Sequence, residues 1–430
     1  MPRSRKLPPS LLALGLIAAL GLALVLWRAN PPGKPPAANQ DLALSALAQA
    51  PEWSDLKPFQ HTIRRRDFEV LLTTVFTTGG AWRDLIRIDD REARISTGLP
   101  APNDLFHLAF ITTGEASPTP RYWRATRDLP PAPPGQPLAG LRLAIDPGHL
   151  GGAWATMEER RLVVGGNPPV CEGDLTLQVA KLLKPRLEAL GATVSLVRSS
   201  SQPLTPLRPA DLLTLATTKV PPADSAASPR KLAERLFYRT AEIHARARYV
   251  NQTLKPDLVL CLHFNADAWG NPDNPLMVSR SHLHLLVNGA YSDAEVALAD
   301  QRFALLHKLL QRTHEEEVLV GASVADALAA ATGLPPFSYS PNADNARPIP
   351  AHPYLWARNL LANRLYQCPV IFTEPYVMNS TTDYARIRAG DYAGLRQIAG
   401  HARPSIFREY ADAIATGLAH HYSKHRQPKT

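Results

Sequence analysis

The sequence predicts an α/β fold: a mostly parallel, twisted sheet with helices on both faces, preceded by a small β-rich domain and an N-terminal transmembrane anchor. Three short apolar runs, at 141–146 (LRLAID), 257–262 (DLVLCL) and 369–373 (PVIFT), read as strands buried on both faces. The stretches between them place apolar residues at helical spacing, the alternation expected of a parallel sheet. Each run also ends in a residue able to bind or work with a metal. The first leads through Pro147-Gly148 to His149, the second ends at His263 and the third at Glu374. Ligands of open α/β sheets bind beyond the carboxyl ends of the strands. Two histidines and a glutamate gathered on that edge point to a metallohydrolase.

In chain order, Arg3, Arg5 and Lys6 precede an uncharged apolar stretch at 11–27. As a helix it would span roughly 26 Å, enough with its flanks to cross a bilayer. It exceeds the usual apolar core of a secretion signal and lacks a convincing small-x-small cleavage site before Arg28. Residues 1–28 therefore read as an uncleaved signal-anchor, with the basic flank in the cytoplasm and the rest outside it. Either an anchor or a cleaved signal exports the bulk of the chain. Residues 29–52 form a linker that includes a stiff spacer at 30–38 (NPPGKPPAA) and a short helix at 41–52.

Residues 53–128 read as the small β-rich domain. The stretches 68–77 (FEVLLTTVFT), 84–88, 93–97 and 105–112 are rich in β-branched and aromatic residues, and Asp89-Asp90 falls where a hairpin turn belongs. Trp53, Trp82, Tyr122 and Trp123 are expected to pack in a core rather than to form a sugar-stacking face. A Pro-rich linker at 129–138 leads into the α/β domain, 139–425. There a helix at 174–190, stopped by Gly191, joins the first strand to another at 193–197. A Ser/Thr/Pro/Ala-rich insertion follows at 199–228, then a helix at 230–254. A strand at 281–287, helices at 293–313 and 322–331, and a closing helix at 406–422 complete the domain.

A chain of 430 residues with 45% hydrophobic and 20% charged content can bury a sizeable core in more than one folding unit. The net charge of +9 suits an anionic partner such as a membrane surface or a cell-wall polymer. No basic block with interleaved aromatics stands out, so nucleic acid is not expected. Cys171, Cys261 and Cys368 are odd in number and form no CxxC pair, which argues against a structural thiolate zinc site. His282 and His284 share one face of a strand without a third partner and read as structural. Glu315-Glu316-Glu317 and His420-His421 read as exposed surface, with a silencing helix over the metal as the less favoured use of the acidic run.

Several of these stretches, in order, resemble the zinc-dependent N-acetylmuramoyl-L-alanine amidases, peptidoglycan hydrolases of the amidase_3 type. Ile145-Asp146-Pro147-Gly148-His149 resembles that family's first metal-ligand motif. Glu172 with the following DLTLQVAKLLKPRLEALGATVSLVRSS resembles its second. RARYVN at 246–251 and DLVLCLHFNA at 257–266 resemble the stretch bearing the third ligand. FTEPYVMN at 372–379 resembles the strand end with the catalytic glutamate, and 411–422 the terminal helix. The resemblance implies Zn2+ held by His149, Glu172 and His263, with Glu374 as the catalytic base. It further implies peptidoglycan as substrate, cleavage between N-acetylmuramic acid and L-alanine, and work in the cell envelope on the periplasmic or extracellular side. An activating envelope protein is possible within that picture.

The pattern also departs from the family. Leu150 follows His149, the stretch to Glu172 is long and holds Glu158 and Glu159 as rival ligands, and Pro375-Tyr376 replaces a small residue and glycine. Two alternatives stay open: a catalytically altered module that binds peptidoglycan or an envelope partner, and another zinc amide hydrolase. Asp146 and Asn265, beside the ligands, either orient them or serve only their loops.

Overall fold

The computed structural model describes residues 44–98, 105–219 and 228–426. The apolar stretch at 11–27 and the spacer at 30–38 lie outside the described residues. Among the described residues no helix is long and apolar enough to cross a membrane. Residues 44–52 contain a turn but no helix.

An antiparallel sheet comes first: β1 (Ile86–Ile88), β2 (Glu92–Ser96) and β3 (Leu105–Ala109). Asp89 shapes the hairpin between β1 and β2, its Oδ1 accepting from the backbone N–H of Arg91 at 2.9 Å and of Glu92 at 3.0 Å. The strand expected at 68–77 is instead helical, running from Arg65–Leu71 into a wider turn at Leu72–Phe76. Period decides this over composition. Phe68, Leu72, Val75 and Phe76 are buried while Val70 and Thr74 are exposed, a helical spacing that β-branched content obscured. This segment shares its core with the helix Ala299–Gln311, packing Phe68, Phe76 and Phe110 into one cluster with Leu305, Leu306, Leu309 and Leu310. Trp53 and Trp123 are buried, and Trp82 and Tyr122 pack partly buried against the cores, so none of the four offers a free sugar-stacking face.

The main sheet has seven strands. They are β4 (Arg142–Pro147), β7 (Thr193–Leu196), β8 (Leu258–Leu262), β9 (Leu283–Val287), β10 (Arg347–Pro348), β11 (Leu355–Ala357) and β12 (Val370–Pro375), in the order β10-β11-β9-β12-β8-β4-β7. Strands β7, β4, β8 and β12 are parallel neighbours, while β9 runs antiparallel to β12. A small hairpin, β5 (Arg161–Leu162) with β6 (Val170–Cys171), stands outside it. A second hairpin, β13 (Arg396–Ile398) with β14 (His401–Arg403), precedes the last helix.

Alternation along the strands feeds two cores. Leu143, Ile145, Leu258, Leu260 and Ile371 face the helices Glu172–Ala189, Thr313–Thr332 and Ile406–His425. Ala144, Val259, Cys261, Val370 and Phe372 face the other layer, which includes Ala247 and Val250 of the long helical stretch at 229–254. All three cysteines are free and buried.

Two surface expectations are overturned. Glu316 and Glu317 are buried; only Glu315 is exposed. Glu317 accepts from the backbone N–H of Val370 at 3.1 Å, at the start of β12. The acidic run therefore sits at the sheet edge opposite His263 and Glu374, and nothing places its helix over them. His420 is exposed as expected, but His421 is fully buried, with Nε2 2.9 Å from the Thr126 hydroxyl. In both cases the helix carrying the polar residue is packed on two sides, so it has little solvated face to offer.

Candidate metal centre

Two strands and one helix bring three donors together. β4 leads to His149, β8 ends immediately before His263, and Glu172 is the first residue of the helix Glu172–Ala189. One potential ligand atom from each lies within 4.8 Å of the others. Glu172 is the bridge: its Oε1 accepts from His263 Nδ1 at 3.0 Å and from the Phe264 backbone N–H at 3.2 Å. Its Oε2 lies 3.2 Å from His149 Nε2. The two imidazoles meet edge to face with centroids 5.1 Å apart, and His263 stacks on Phe372 at 4.2 Å.

Charge follows from that arrangement. Burial alone would raise the Glu172 carboxyl, but His149, His263 and Arg160 outweigh it and hold it down to about 2. Burial keeps His149 below its ordinary range and so favours its neutral form. Burial also pulls on His263, yet the hydrogen bond to Glu172 raises it. The result is one firm anion between two imidazoles, a donor set of the kind that takes a divalent cation.

The loop bearing His149 is clamped from beneath. Arg246, 1% exposed at its side chain, pairs with Asp146 at 2.9 Å and Glu242 at 2.8 Å, and donates to the carbonyls of Pro147 at 3.0 Å and His149 at 3.1 Å. Tyr366 donates to the other Asp146 oxygen at 2.5 Å. Arg198 donates to the Pro147 and Gly148 carbonyls at 2.9 and 3.0 Å and to Gly173 at 2.6 Å, tying the His149 loop to the start of the Glu172 helix. Asp146 thus orients the site through Arg246. Gly148 has no room for a side chain, since a Cβ there would fall 2.3 Å from the His263 ring.

Of the rival glutamates, neither joins the donor cluster. Glu159 is exposed on a turn at φ 56°. Glu158 is buried and turns inward to hold the loop, accepting from Leu150 N–H at 2.9 Å and Gly151 N–H at 3.1 Å, with its Oε1 3.8 Å from His149 Nδ1. That accounts for Leu150 and for the long stretch that follows it.

Glu374 lies on β12, directly opposite His284 of β9. Burial raises its carboxyl to about 7, with the charges of His263, Arg160 and Arg358 pulling the other way. His284 is itself pushed down to about 3 by burial and stays neutral. Its Nε2 is 3.2 Å from the Tyr339 hydroxyl, which also accepts from Arg358 at 3.2 Å. Asn265 reaches this group, its amide nitrogen 3.5 Å from His284 Nδ1. The departure at Pro375-Tyr376 is absorbed locally. Tyr376 takes φ 65°, a glycine-like conformation, and its ring packs in the core against Phe264 with its hydroxyl donating to Glu409 at 2.9 Å.

Two hollows border the donors. One, of about 270 Å³, is lined by His149, His263, Tyr238, Ile243, Leu360 and Phe372 among others. The second, of about 550 Å³, lies between the turn at 156–161 and the loop 266–273, with Arg160 and Trp269 in its wall. The sequence singled out His149, Glu172, His263 and Glu374 but not Arg160, Tyr339 or the working role of Arg246. An arginine on the apolar face shared by Ala247 and Val250 was the available signal for the last of these.

No protein-family model matches the chain, and no curated protein matches it. Solved structures do, 21 chains in all. They include the N-acetylmuramyl-L-alanine amidase Ami1 from Mycobacterium smegmatis, at 18% identity and TM-score 0.37 over 67% of this chain and 99% of that one. The CwlD amidase from Clostridioides difficile, solved in complex with the GerS lipoprotein, matches at 11% identity and TM-score 0.36 over 66% and 98%. The catalytic domain of CwlV from Bacillus (Paenibacillus) polymyxa var. colistinus matches at 14% identity and TM-score 0.33 over 65% and 96%. The first and third are N-acetylmuramoyl-L-alanine amidases by name, the second an amidase. Identities and scores this low assign no residue a role, so function rests on the side chains of the site.

Proposed function

We propose that this chain is a zinc-dependent N-acetylmuramoyl-L-alanine amidase that cuts peptidoglycan between the lactyl group of N-acetylmuramic acid and the L-alanine of the stem peptide. The observation that carries the reading is the convergence of His149, Glu172 and His263 within 4.8 Å, with the partly buried carboxyl of Glu374 at the end of β12 raised to about 7.

The residues fit a catalytic zinc, which commonly takes three protein ligands and leaves one position open. His149, Glu172 and His263 would hold it, and the ion would supply Lewis acidity to a water molecule and to the amide carbonyl. Glu374 takes the proton from the attacking water and delivers it to the departing amine nitrogen. A carboxyl near neutrality suits both halves of that transfer. Arg246 and Arg198 keep His149 and Glu172 in register through the backbone carbonyls they hold. Tyr376 turns its ring into the core and away from this chemistry, which weakens the case for a purely binding module.

In this reading the stretch at 11–27 anchors the enzyme to the cytoplasmic membrane, with the catalytic part in the envelope. The deciding experiment incubates the purified zinc-loaded chain with isolated sacculi and sequences the released peptides. L-Alanine at their new amino terminus supports the proposal; zinc binding without amide cleavage replaces it with the binding-module reading.

A further inference from the structure

We propose that the hairpin β13–β14 is a membrane-contact element: its uncharged turn enters the interface of an anionic bilayer while Arg396 and Arg403 meet lipid phosphates. The amidase chemistry is not needed for this. The proposal draws on the preceding reading only for location, since an anchor at 11–27 confines the chain to a lipid surface.

Arg396 and Arg403 are direct cross-strand partners in the antiparallel pair, so both side chains leave the same face of the ribbon. Like charges opposed in this way repel each other. Asp391, the last acid before the hairpin, is taken by Arg408 through two contacts of 2.7 Å. No Asp or Glu occurs from 392 to 408, and among the described residues neither Arg396 nor Arg403 is ion-paired. Arg403 Nε is buried without a hydrogen-bond partner. Two unneutralised guanidiniums on one face call for an anion from outside the chain, and a phosphate suits them.

The turn itself carries no charge. Ile398 pairs with His401, and Ala399 and Gly400 link them at φ 49° and 81°. Two-residue turns with positive φ at both positions draw Asn or Asp before the Gly. Ala in that place accepts backbone strain and keeps the tip apolar. Ala399, Gly400 and Ala402 are exposed, and Leu395, next to Arg396, is 68% exposed. At about 3.4 Å per residue the paired arginines stand level with each other, roughly 7–10 Å behind the tip. Interfacial segments sink about 5–10 Å, which sets those guanidiniums among the phosphates. Leu395 decides for lipid over a wall polymer: a hydrophilic glycan gains nothing from an exposed leucine, whereas an acyl layer takes it up.

The ribbon is fixed to the body. Tyr392 is buried, donates its hydroxyl to the Arg403 carbonyl at 3.0 Å and carries the Arg396 guanidinium over its ring at 4.3 Å. Arg386, paired with Glu409 at 2.8 Å, donates to the Pro404 carbonyl at 3.4 Å. Contact with lipid therefore orders no loose loop. Two arginines and a leucine bind weakly by themselves, and the anchor supplies the effective concentration that makes such contact count.

The test uses the full zinc-loaded chain with Gln397→Cys carrying an environment-sensitive dye; the three native thiols are buried. It is reconstituted in nanodiscs of phosphatidylcholine alone or enriched in phosphatidylglycerol. In the anionic discs the dye should report apolar surroundings and be quenched by acyl-chain spin labels, with contact falling about tenfold in neutral discs or in high salt. Arg396→Glu with Arg403→Glu should abolish the difference between discs. Ala399→Asp suits the turn and keeps the fold, yet should weaken the quenching. If the chain does not enter discs, flotation with liposomes of the same lipids reads the same contrast. Equal contact with both lipids, or none with either, would overturn the proposal. Protection of the dye by soluble muropeptides in place of anionic lipid would also overturn it and make the hairpin a wall-polymer surface. Sacculus hydrolysis, read on the same samples, reports separately on the amidase reading.

Discussion

Glu374 and His284 face each other directly across the antiparallel pair β12–β9, and the histidine is the neutral member. His284 therefore lends Glu374 no positive charge, and burial outweighs the pull of His263, Arg160 and Arg358 to keep the carboxyl raised. In zinc-free protein the folded state keeps this proton longer than the unfolded chain does. Between the ordinary 4.5 and about 7, wild type should lose stability relative to Glu374→Gln as pH rises. The two should stand level below that window and differ by about 3 kcal/mol above it, read by denaturant melts. A constant difference across the window would show that the Glu374 carboxyl is not raised on folding.

Activity makes a separate demand on the same residue. Glu374→Gln keeps the shape and cannot accept a proton, so turnover should fall by about 10²–10⁴-fold while zinc content stays at wild-type level. Retained turnover would take Glu374 out of its role.

The three glutamates near His149 should separate cleanly in metal titrations. Glu172→Ala removes the anionic donor and should abolish tight zinc binding. Glu158→Ala should weaken affinity by about 10–100-fold, because it frees the loop behind His149. Glu159→Ala, on an exposed turn, should leave affinity unchanged. If Glu159→Ala loses zinc, the donor set is wrongly drawn.

Arg246 holds two buried carboxylates and two carbonyls of the His149 loop. Arg246→Met should cost about 3–5 kcal/mol, since Asp146 and Glu242 would remain buried without their partner. Adding Asp146→Asn and Glu242→Gln to Arg246→Met should recover part of that loss. A double-mutant cycle with no coupling between Arg246 and Asp146 would contradict the clamp.

Gly148→Ala drives a methyl against the His263 ring, whose nearest atom is 2.3 Å from the added carbon. The loop or the imidazole must move, at about 1–3 kcal/mol and with weakened zinc binding. Wild-type affinity in this variant would show that His263 has freedom the packing does not suggest.

The parallel strands were legible because burial on both faces leaves unbroken apolar runs, as in LVLCL of β8. Their order gave the site its edge, and the donors at the strand ends followed. The Glu172 helix was legible from Leu175, Val179 and Leu183, though not its first turn. The reversal of β9 was not legible, since an apolar pentapeptide reads alike in either direction. Glu316, Glu317 and His421 misled because their polar side chains are satisfied by distant partners: Thr126, Val370 and Asn288. Arg160 escaped notice because its ion pair with Glu172 forms only when the β5–β6 hairpin folds back between them.

The helix Ala299–Gln311 lends Leu305, Leu306, Leu309 and Leu310 to the residues that precede the α/β sheet. A protein trimmed to begin near residue 138 would leave that greasy stripe bare to water. Such a fragment should self-associate or precipitate even with its metal donors intact, so soluble forms of this protein need to begin before Trp53.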